Sequence, residues 1–422
     1  MTTKITRLDN GLTIATHAMG HLETASIGLF VATGARHESA SEHGISHLLE
    51  HMAFKGTATR SARDIAEVIE QVGGDLNAAT SLEQTAYYAR VLADDVGLAV
   101  DVLADIVQNS VFDEAELARE KDVVLQEMAS IDDSPEELVY DLVQARAFPG
   151  QPVGRPIIGT KESVTAISAD TLREFLARRY RAGDMILSAA GKVAHEDIVR
   201  HARDKFGSLP PGRTERGEAA RFVGGAGGLT RPFEQAHLVV AFEGPAYTSE
   251  NYLAAQVLSG VLGGGMSSRL FQEVRERRGL CYAIYSSAWG ISDGGMLAVY
   301  AATAKTTVEQ LADVVTAELR MIARERPAEC EVERAKAQLK AGLLMGLESS
   351  SARAEQLARH IAVYGRAIPA EEIIARVEAV TAERVRALAE LTLAASRPAV
   401  ALVGAGRRSS ALAEAARQAL SA

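Results

Sequence analysis

Two histidines and one glutamate with the spacing of a metal site occur in the segment His47-Leu48-Leu49-Glu50-His51. Residues four apart lie on one face of an α-helix, so His47 and His51 can bind the same ion, and neutral imidazole is a preferred zinc ligand. Glu50 follows His47 by three positions and flanks that face, where it can hold a water molecule at the metal. The segment therefore predicts a short helix that carries two zinc ligands and a catalytic base.

A third ligand is expected elsewhere in the chain, because catalytic zinc ions usually have three protein ligands and one open position. The predicted helix 113–130 carries Glu120 and Glu127, which are seven residues apart and therefore lie on nearly the same face. One of these glutamates can bind the metal while the other orients a histidine ligand. Spacing alone leaves the two assignments interchangeable. It also leaves open that the histidines are surface or core residues that bind no metal, and that 113–130 is a solvated acidic helix.

The composition is that of a folded protein with more than one domain. The chain has 422 residues, whereas a single hydrophobic core rarely grows beyond roughly 250–300 residues. Its formal charge is −10, from 45 Lys and Arg against 55 Asp and Glu, and no basic block stands out. A nucleic-acid-binding function is therefore not expected.

Cysteine usage and hydropathy give an expectation about the compartment. Cys281 and Cys330 form no Cys-x-x-Cys pair, which argues against a disulfide framework and against a cysteine-based zinc site. The N-terminal segment lacks the apolar core of a secretory signal, and no run reaches the roughly 20 apolar residues that span a bilayer. The sequence predicts a cytoplasmic protein without a membrane anchor, although a presequence already removed would leave no trace.

A linker is predicted near the middle of the chain. Residues 209–228 combine prolines, scattered charges and a glycine cluster without apolar periodicity, which is the composition of an exposed connection. The sequence therefore predicts a zinc-binding domain over 1–212, a linker over 213–228 and a second domain over 229–422.

Short motifs recur in the same order on the two sides of this linker. The pairs are Leu103–Val107 with Leu311–Val315, Val164–Asp170 with Val380–Glu383, and Ile186–Gly191 with Val400–Gly404. Their common order predicts two homologous domains, although alanine-rich helices can also resemble each other by chance.

The periodicity of apolar residues predicts strands that come in pairs between helices. Strands are predicted at 25–32, 84–92, 186–190, 237–242, 282–287 and 296–301. Helices are predicted at 61–72, 94–109, 113–130, 170–180, 249–262, 306–325, 329–348 and 381–392. Because βαβ units do not alternate regularly, we expect an α+β fold in which each domain packs an antiparallel-rich sheet against helices.

Three stretches taken together resemble the inverzincin family of zinc metallopeptidases, which includes pitrilysin, insulin-degrading enzyme and the mitochondrial processing peptidase. They are GISHLLEHMAFKGT at 44–57, GGDLNAATSLEQTAYYARVL at 73–92, and the glutamate pair at 120 and 127. The resemblance covers nearly the whole chain and is closest to short bacterial members similar to the processing peptidase β subunit. It implies that His47, His51 and Glu127 bind zinc, since 75 residues separate His51 from Glu127, as in the family. It further implies that Glu50 is the general base and Glu120 the additional acidic residue.

The second half resembles the family as well. GGGMSSRLFQEVRERRGLCYAIYS at 263–286 is similar to the family's C-terminal signature, which implies that Arg275 and Tyr282 reach the substrate. No His-x-x-Glu-His recurs after residue 228, so only the first half is expected to hold metal. The glycines at 263–265 are not followed by the Lys-Ser/Thr pair of a phosphate loop, which argues against nucleotide binding.

The resemblance implies a zinc-dependent endopeptidase that hydrolyses short or unfolded peptides inside a closed chamber. The substrate would add as a strand at Asn77, Ala78 and Ala79, although these residues could also simply begin a strand. Short members usually need a second copy or a related chain, so a homodimer or heterodimer is expected. The alternatives are a subunit of a heteromeric processing peptidase, a non-catalytic scaffold of the same fold, and a histidine-based metal store.

Overall fold

The computed structural model describes residues 2–215, 217–395 and 397–421. Its strands are β1 Thr2–Arg7, β2 Thr13–Ala18, β3 Thr24–Val31, β4 Asp75–Thr80, β5 Thr85–Leu92, β6 Met185–Gly191, β7 Gly225–Leu229, β8 Ala236–Glu243, β9 Cys281–Gly290, β10 Gly295–Thr303 and β11 Ala399–Val403. Its helices are α1 Ile45–Met52, α2 Ala62–Glu70, α3 Val96–Gln108, α4 Glu114–Asp133, α5 Pro135–Ala147, α6 Lys161–Ala166, α7 Ala169–Arg179, α8 His195–Phe206, α9 Tyr252–Gly263, α10 Val308–Arg324, α11 Glu329–Gly346, α12 Ser350–Tyr364, α13 Ala370–Glu378, α14 Ala382–Ala395 and α15 Ser409–Ser421. None of these helices is both long enough and apolar enough to cross a membrane.

The predicted α+β class is confirmed, because the strands form two mixed sheets that pack with helices. The first sheet has the order β1-β2-β6-β3-β5-β4, and its neighbouring strands are antiparallel except for β2 and β6. The second has the order β7-β11-β8-β10-β9, with β7 and β11 as its parallel pair. Taken in chain order, the second sheet repeats the arrangement of β2 to β6. The two domains are therefore homologous in topology, as the repeated motifs predicted.

The first compact unit contains the described residues up to Met128 together with Arg155–Glu218 and Met345–Ile368. Apolar side chains from β3, β5 and β6 pack with α1, α3, α7 and α8 in its main core. Helix α12 covers the opposite face, where the Ser188 hydroxyl donates to the Ala354 carbonyl over 2.7 Å. Because both faces are covered, β3 and β6 are almost continuously buried and lack the alternation of a half-exposed strand.

The second compact unit contains Ala129–Gly154, Ala219–Leu344 and the described residues from Pro369 onwards. Its main core includes residues from β8 and β10 and from α9, α10, α14 and α15, while α5 packs against β7, β8 and β11. Helix α5 follows α4 in the first half of the sequence, and α12 follows α11 in the second. Each half of the sequence thus contributes a helix at an equivalent position to the unit built mainly by the other half. A division into contiguous domains 1–212 and 229–422 does not describe this exchange, because helical periodicity does not specify which sheet a helix covers.

The predicted linker 213–228 ends inside an element of the second unit. Its residues from Gly225 onwards belong to β7, which pairs in parallel with β11. A Cβ at Gly227 would lie 2.5 Å from the Arg146 Nε atom, and one at Gly228 would overlap the backbone of Ser409. These two glycines therefore let α5 and α15 each pack closely against β7. Composition alone does not distinguish a glycine-rich strand of this kind from a flexible linker.

Candidate metal centre

Helix α1 carries the predicted metal-binding segment. Its residues Ile45, Leu48, Leu49 and Met52 are buried in the core of the first unit. Their spacing forms one apolar face, so the remaining face carries His47, Glu50 and His51. The apolar residues inside the motif thus fix the rotation of the helix about its axis.

Helix α4 brings the acidic residues to this face. Leu117, Glu120 and Val124 are its buried residues, and Glu127 continues the same stripe one turn further along. The spacing of three and four residues places the two glutamates on the side of α4 that packs into the unit.

The ligand atoms of His47, His51 and Glu127 lie within 4.8 Å of one another. Glu127 Oε2 is 3.6 Å from His47 Nε2 and 3.6 Å from His51 Nε2. Two ligands of a tetrahedral zinc ion are roughly 3.3–3.5 Å apart, given metal–ligand bonds of about 2.0–2.2 Å. The two histidine–glutamate distances are therefore close to those of a tetrahedral zinc site, and two histidines with one carboxylate form a donor set that zinc accepts.

The protonation of the site also suits a metal. Burial, followed by the charge of the neighbouring His51, lowers the pKa of His47 to about 4, so its imidazole is neutral at pH 7 and can ligate. Among the described residues, the buried atoms His47 Nδ1 and Glu50 Oε2 have no hydrogen-bond partner. A buried polar atom without a partner is costly, so Glu50 Oε2 is available to a group that enters the site, whereas His47 Nδ1 is not the ring nitrogen that faces Glu127.

His51 is oriented by a chain of two polar contacts. Its Nδ1 atom lies 3.0 Å from Glu120 Oε2, and Glu120 Oε1 lies 2.7 Å from Lys55 Nζ. Burial alone would raise the pKa of Glu120, but hydrogen bonds from Lys55 and His51 lower it, so the carboxylate is charged at neutral pH. A carboxylate beside Nδ1 favours the tautomer that donates there and leaves Nε2 free for the metal.

The structure thus separates the two glutamates that spacing left interchangeable. Glu127 lies at the Nε2 atoms of both histidines, and Glu120 lies at the Nδ1 atom of His51. Sequence reasoning missed Lys55, which pairs with Glu120 beside the candidate metal ligands. Lys55 lies beyond the end of α1 at Met52, so helical spacing from the histidines does not identify it.

Glu50 lies between the metal ligands and the end of β4. Burial raises the pKa of its carboxyl, and hydrogen bonds from Thr80 oppose this shift. Thr80 is the last residue of β4, and its hydroxyl also donates to the Ser46 carbonyl over 3.3 Å. The carboxyl is therefore held at the junction between α1 and this strand.

The predicted substrate-binding residues Asn77, Ala78 and Ala79 all lie in β4, at the edge of the first sheet. Asn77 and Ala79 are exposed, whereas Ala78 is buried. The side-chain Oδ1 atom of Asn77 accepts the Ala78 N–H over 2.8 Å. Because that N–H is bonded to a side chain, it points away from β5, toward the side where a further strand could pair.

Arg275 and Tyr282 form a pair within the second unit. Arg275 belongs to the π-helical segment Phe271–Glu276, and its guanidinium carbon lies 4.7 Å from the Phe271 ring centroid and 5.1 Å from that of Tyr282. Tyr282 is on the edge strand β9 and is 77% exposed. An arginine between two aromatic faces is restrained, and it in turn restrains the tyrosine ring.

Two protein-family models match the chain. The model described as insulinase, peptidase family M16, matches residues 13–161, and the model described as the peptidase M16 inactive domain matches residues 166–339. The first match includes His47, Glu50, His51 and Glu127, and the second includes both Arg275 and Tyr282.

Several curated bacterial proteins resemble the chain over most of its length. A protein of Rickettsia felis is 41% identical over 371 residues, which cover 88% of this chain and 90% of the relative. One of Mycobacterium tuberculosis is 43% identical over 394 residues, covering 91% and 89%. Both carry the name uncharacterized zinc protease.

Solved structures share the fold at lower sequence identity. A protease from Helicobacter pylori has a TM-score of 0.88 at 20% identity, covering 95% of this chain and 99% of the other. A structure described as the peptidase M16 inactive domain from Pseudomonas fluorescens also has a TM-score of 0.88, at 22% identity, covering 96% and 98%.

Replacing Lys55 should weaken metal binding without changing any ligand. In Lys55→Met, Glu120 loses the contact that holds its carboxylate at His51, so zinc affinity should fall by about tenfold or more, the usual effect of removing an outer-shell partner. Competition with a chromogenic chelator measures this. Lys121→Met is the matched control, because Lys121 follows Glu120 but donates to the Thr165 carbonyl. Equal affinities in the two variants would contradict the assigned role of Lys55.

Proposed function

Because the chain belongs to the insulinase family, peptidase family M16, we propose that it is a zinc-dependent endopeptidase that cleaves short or unfolded peptides. The observation that carries the proposal is the convergence of His47, His51 and Glu127 beside the buried carboxyl of Glu50. The names of the relatives support zinc as the metal and peptide hydrolysis as the class of reaction.

The two histidine Nε2 atoms and Glu127 Oε2 would hold the zinc ion. When bound, zinc supplies Lewis acidity, which polarises the scissile carbonyl and makes water a better nucleophile. The Glu50 carboxylate takes the proton of the attacking water and returns it to the nitrogen of the leaving amine as the peptide C–N bond breaks. The raised pKa of Glu50 suits both steps, because a carboxyl whose pKa is closer to the pH of the solution accepts a proton more readily and can still release it.

The edge of β4 would hold the substrate in an extended conformation. A peptide that adds as a strand replaces the Asn77 side chain as the acceptor of the Ala78 N–H. A segment that is part of a folded protein cannot pair its backbone with β4 over several residues. This requirement favours unfolded segments or short peptides, and Thr80 would connect the bound strand to the catalytic carboxyl.

Arg275 and Tyr282 are proposed to act on the same substrate. The Tyr282 hydroxyl would donate to the developing oxyanion, and Arg275 would hold the ring in place. The exposure of Tyr282 supports this role, since a buried phenol could not reach a ligand. Closure of a chamber around the peptide belongs to the same proposal.

Pairing with a second chain, either identical or related, also remains a proposal. A subunit of a heteromeric processing peptidase would keep the same metal ligands but need its partner for activity. A non-catalytic scaffold would not hydrolyse peptides even when loaded with zinc. The complete donor set favours an enzyme over the scaffold.

Glu50→Gln should abolish hydrolysis while leaving zinc bound. The amide cannot take the proton, and general-base catalysis contributes about 10²–10⁴-fold, so turnover should fall by at least the lower value. Digestion of a mixture of unfolded peptides, read by mass spectrometry, measures activity, and elemental analysis measures zinc. The control is Glu70→Gln, which removes an exposed carboxylate on α2. A fall of less than about 10²-fold in the turnover of zinc-loaded Glu50→Gln would exclude Glu50 as the base.

Tyr282→Phe should lower kcat and leave KM nearly unchanged. Loss of one donor to an oxyanion typically costs about 10²–10³ in kcat, while the binding strand is untouched. Tyr285→Phe is the matched control on β9, because the Tyr285 hydroxyl donates to Glu136 over 2.6 Å. Steady-state kinetics on one defined peptide distinguishes the two variants. The same kcat for both would remove Tyr282 from the mechanism.

A further inference from the structure

The first turn of α1 lacks a cap from its own N-cap residue. That residue is Gly44, which has no side chain and adopts a left-handed conformation with φ of 89°. Its carbonyl accepts the Leu48 N–H over 3.0 Å and so begins the helix. The N–H groups at the start of a helix have no partner within it, and a Ser, Thr, Asp or Asn at the N-cap usually supplies one. The N-cap of α1 cannot do so.

Glu38 supplies the missing acceptor from six residues upstream. Its Oε2 atom accepts the Gly44 N–H over 2.8 Å, and its Oε1 atom accepts the Ser46 N–H over 2.8 Å. The residue is only 3% exposed. Burial raises the pKa of this carboxyl to about 7, and the hydrogen bonds from Ser46 and Gly44 oppose the shift. Both oxygens of one buried side chain therefore fix the start of the metal-binding helix.

The segment around this contact is itself held in place. Arg155 Nη1 donates to the Glu38 carbonyl over 3.3 Å, and His43 Nε2 lies 2.7 Å from the Pro156 carbonyl oxygen, to which it donates. The backbones of Gly44 and Gly159 approach so closely that a Cβ at Gly44 would lie 2.9 Å from the Gly159 Cα. Glu38 thus acts from a fixed backbone, and a shift of its carboxylate would be transmitted to α1.

We propose that Glu38 is a positioning residue for the metal centre. Glu38 accepts the N–H of Ser46, which directly precedes the ligand His47. The carboxylate therefore fixes the position and the rotation of the helical turn from which the ligands project. The ligand geometry depends on that setting, since both histidine Nε2 atoms must stay close to Glu127 Oε2 on another helix. This inference rests on the zinc site proposed above and adds a residue that touches neither metal nor substrate.

A purely structural cap would have a different signature. It would lower thermal stability, while the protein that remained folded would bind metal with unchanged affinity and geometry. The chain offers a matched control in Glu42, which lies four residues further along the same segment. Glu42 accepts the Ser39 N–H over 3.1 Å and pairs with Arg178. Its replacement by glutamine makes the same change of side chain in the same segment.

The test compares Glu38→Gln with Glu42→Gln below their unfolding temperatures, using zinc alone and cobalt alone as probes. The amide introduced by Glu38→Gln can accept only one of the two N–H groups, because its NH₂ faces the other. Zinc affinity should fall by about tenfold or more, as for outer-shell partners of metal ligands, and the visible spectrum of the cobalt-loaded protein should change. Glu42→Gln should stay within about twofold of the unmodified protein, well below the tenfold expected at Glu38. Equal zinc affinity and an identical cobalt spectrum in folded Glu38→Gln would overturn the proposal.

A second variant covers the case in which Glu38→Gln does not fold. Glu38→Asp keeps the carboxyl group but is shorter by one methylene group, so it can reach at most one of the two N–H groups. Hydrogen exchange of the zinc-free protein should then be faster across α1 than in the unmodified protein, with β3 and β6 unchanged. Unchanged exchange in α1 would contradict the role of Glu38. If the unmodified protein itself bound no zinc, the proposed function would fail instead, and the two failures are therefore distinguishable.

Discussion

The first unit has to hold His47 Nε2, His51 Nε2 and Glu127 Oε2 within 4.8 Å of one another. Two of these atoms come from α1 and one from α4. The site therefore exists only if each helix is fixed both in its rotation about its axis and in its position along that axis. Apolar residues inside the metal-binding motif lock the rotation of α1, and Leu117 and Val124 do the same for α4. Apolar packing alone does not specify the direction of an imidazole ring. Polar contacts are therefore needed to orient the histidine side chains.

Two carboxylates that bind no metal complete this arrangement from opposite ends of α1. Glu120, paired with Lys55, fixes His51 at the end of the helix, and Glu38 fixes its first turn. Both are well shielded from solvent, where an unpaired charge would be costly, and each carboxylate has two partners. At Glu120 the hydrogen bonds outweigh burial and lower its pKa, whereas at Glu38 burial outweighs them and raises the pKa to about 7.

The sequence predicted the parts of the site that follow local spacing. The two histidines and Glu50 follow helical geometry, and all of the predicted strands and helices appear in the structure with shifts of a few residues. The assignment of Glu127 over Glu120 needed the family resemblance, because a seven-residue spacing places both on one face. Glu38 was not predicted, because a side chain that caps a helix six residues away leaves no periodic signal. Helices α5 and α12 were themselves not among the predicted helices, so their exchange between the two units was missed as well.

The proposed chemistry depends on His47, His51 and Glu127 forming one zinc site. X-ray absorption at the zinc edge tests it most directly, applied to the zinc-loaded protein and to Glu127→Gln. We expect a first shell of two imidazole nitrogens with oxygen ligands at about 2.0–2.2 Å, and an altered oxygen contribution in the variant. A shell without two imidazoles, or one that is identical in the two proteins, would contradict it.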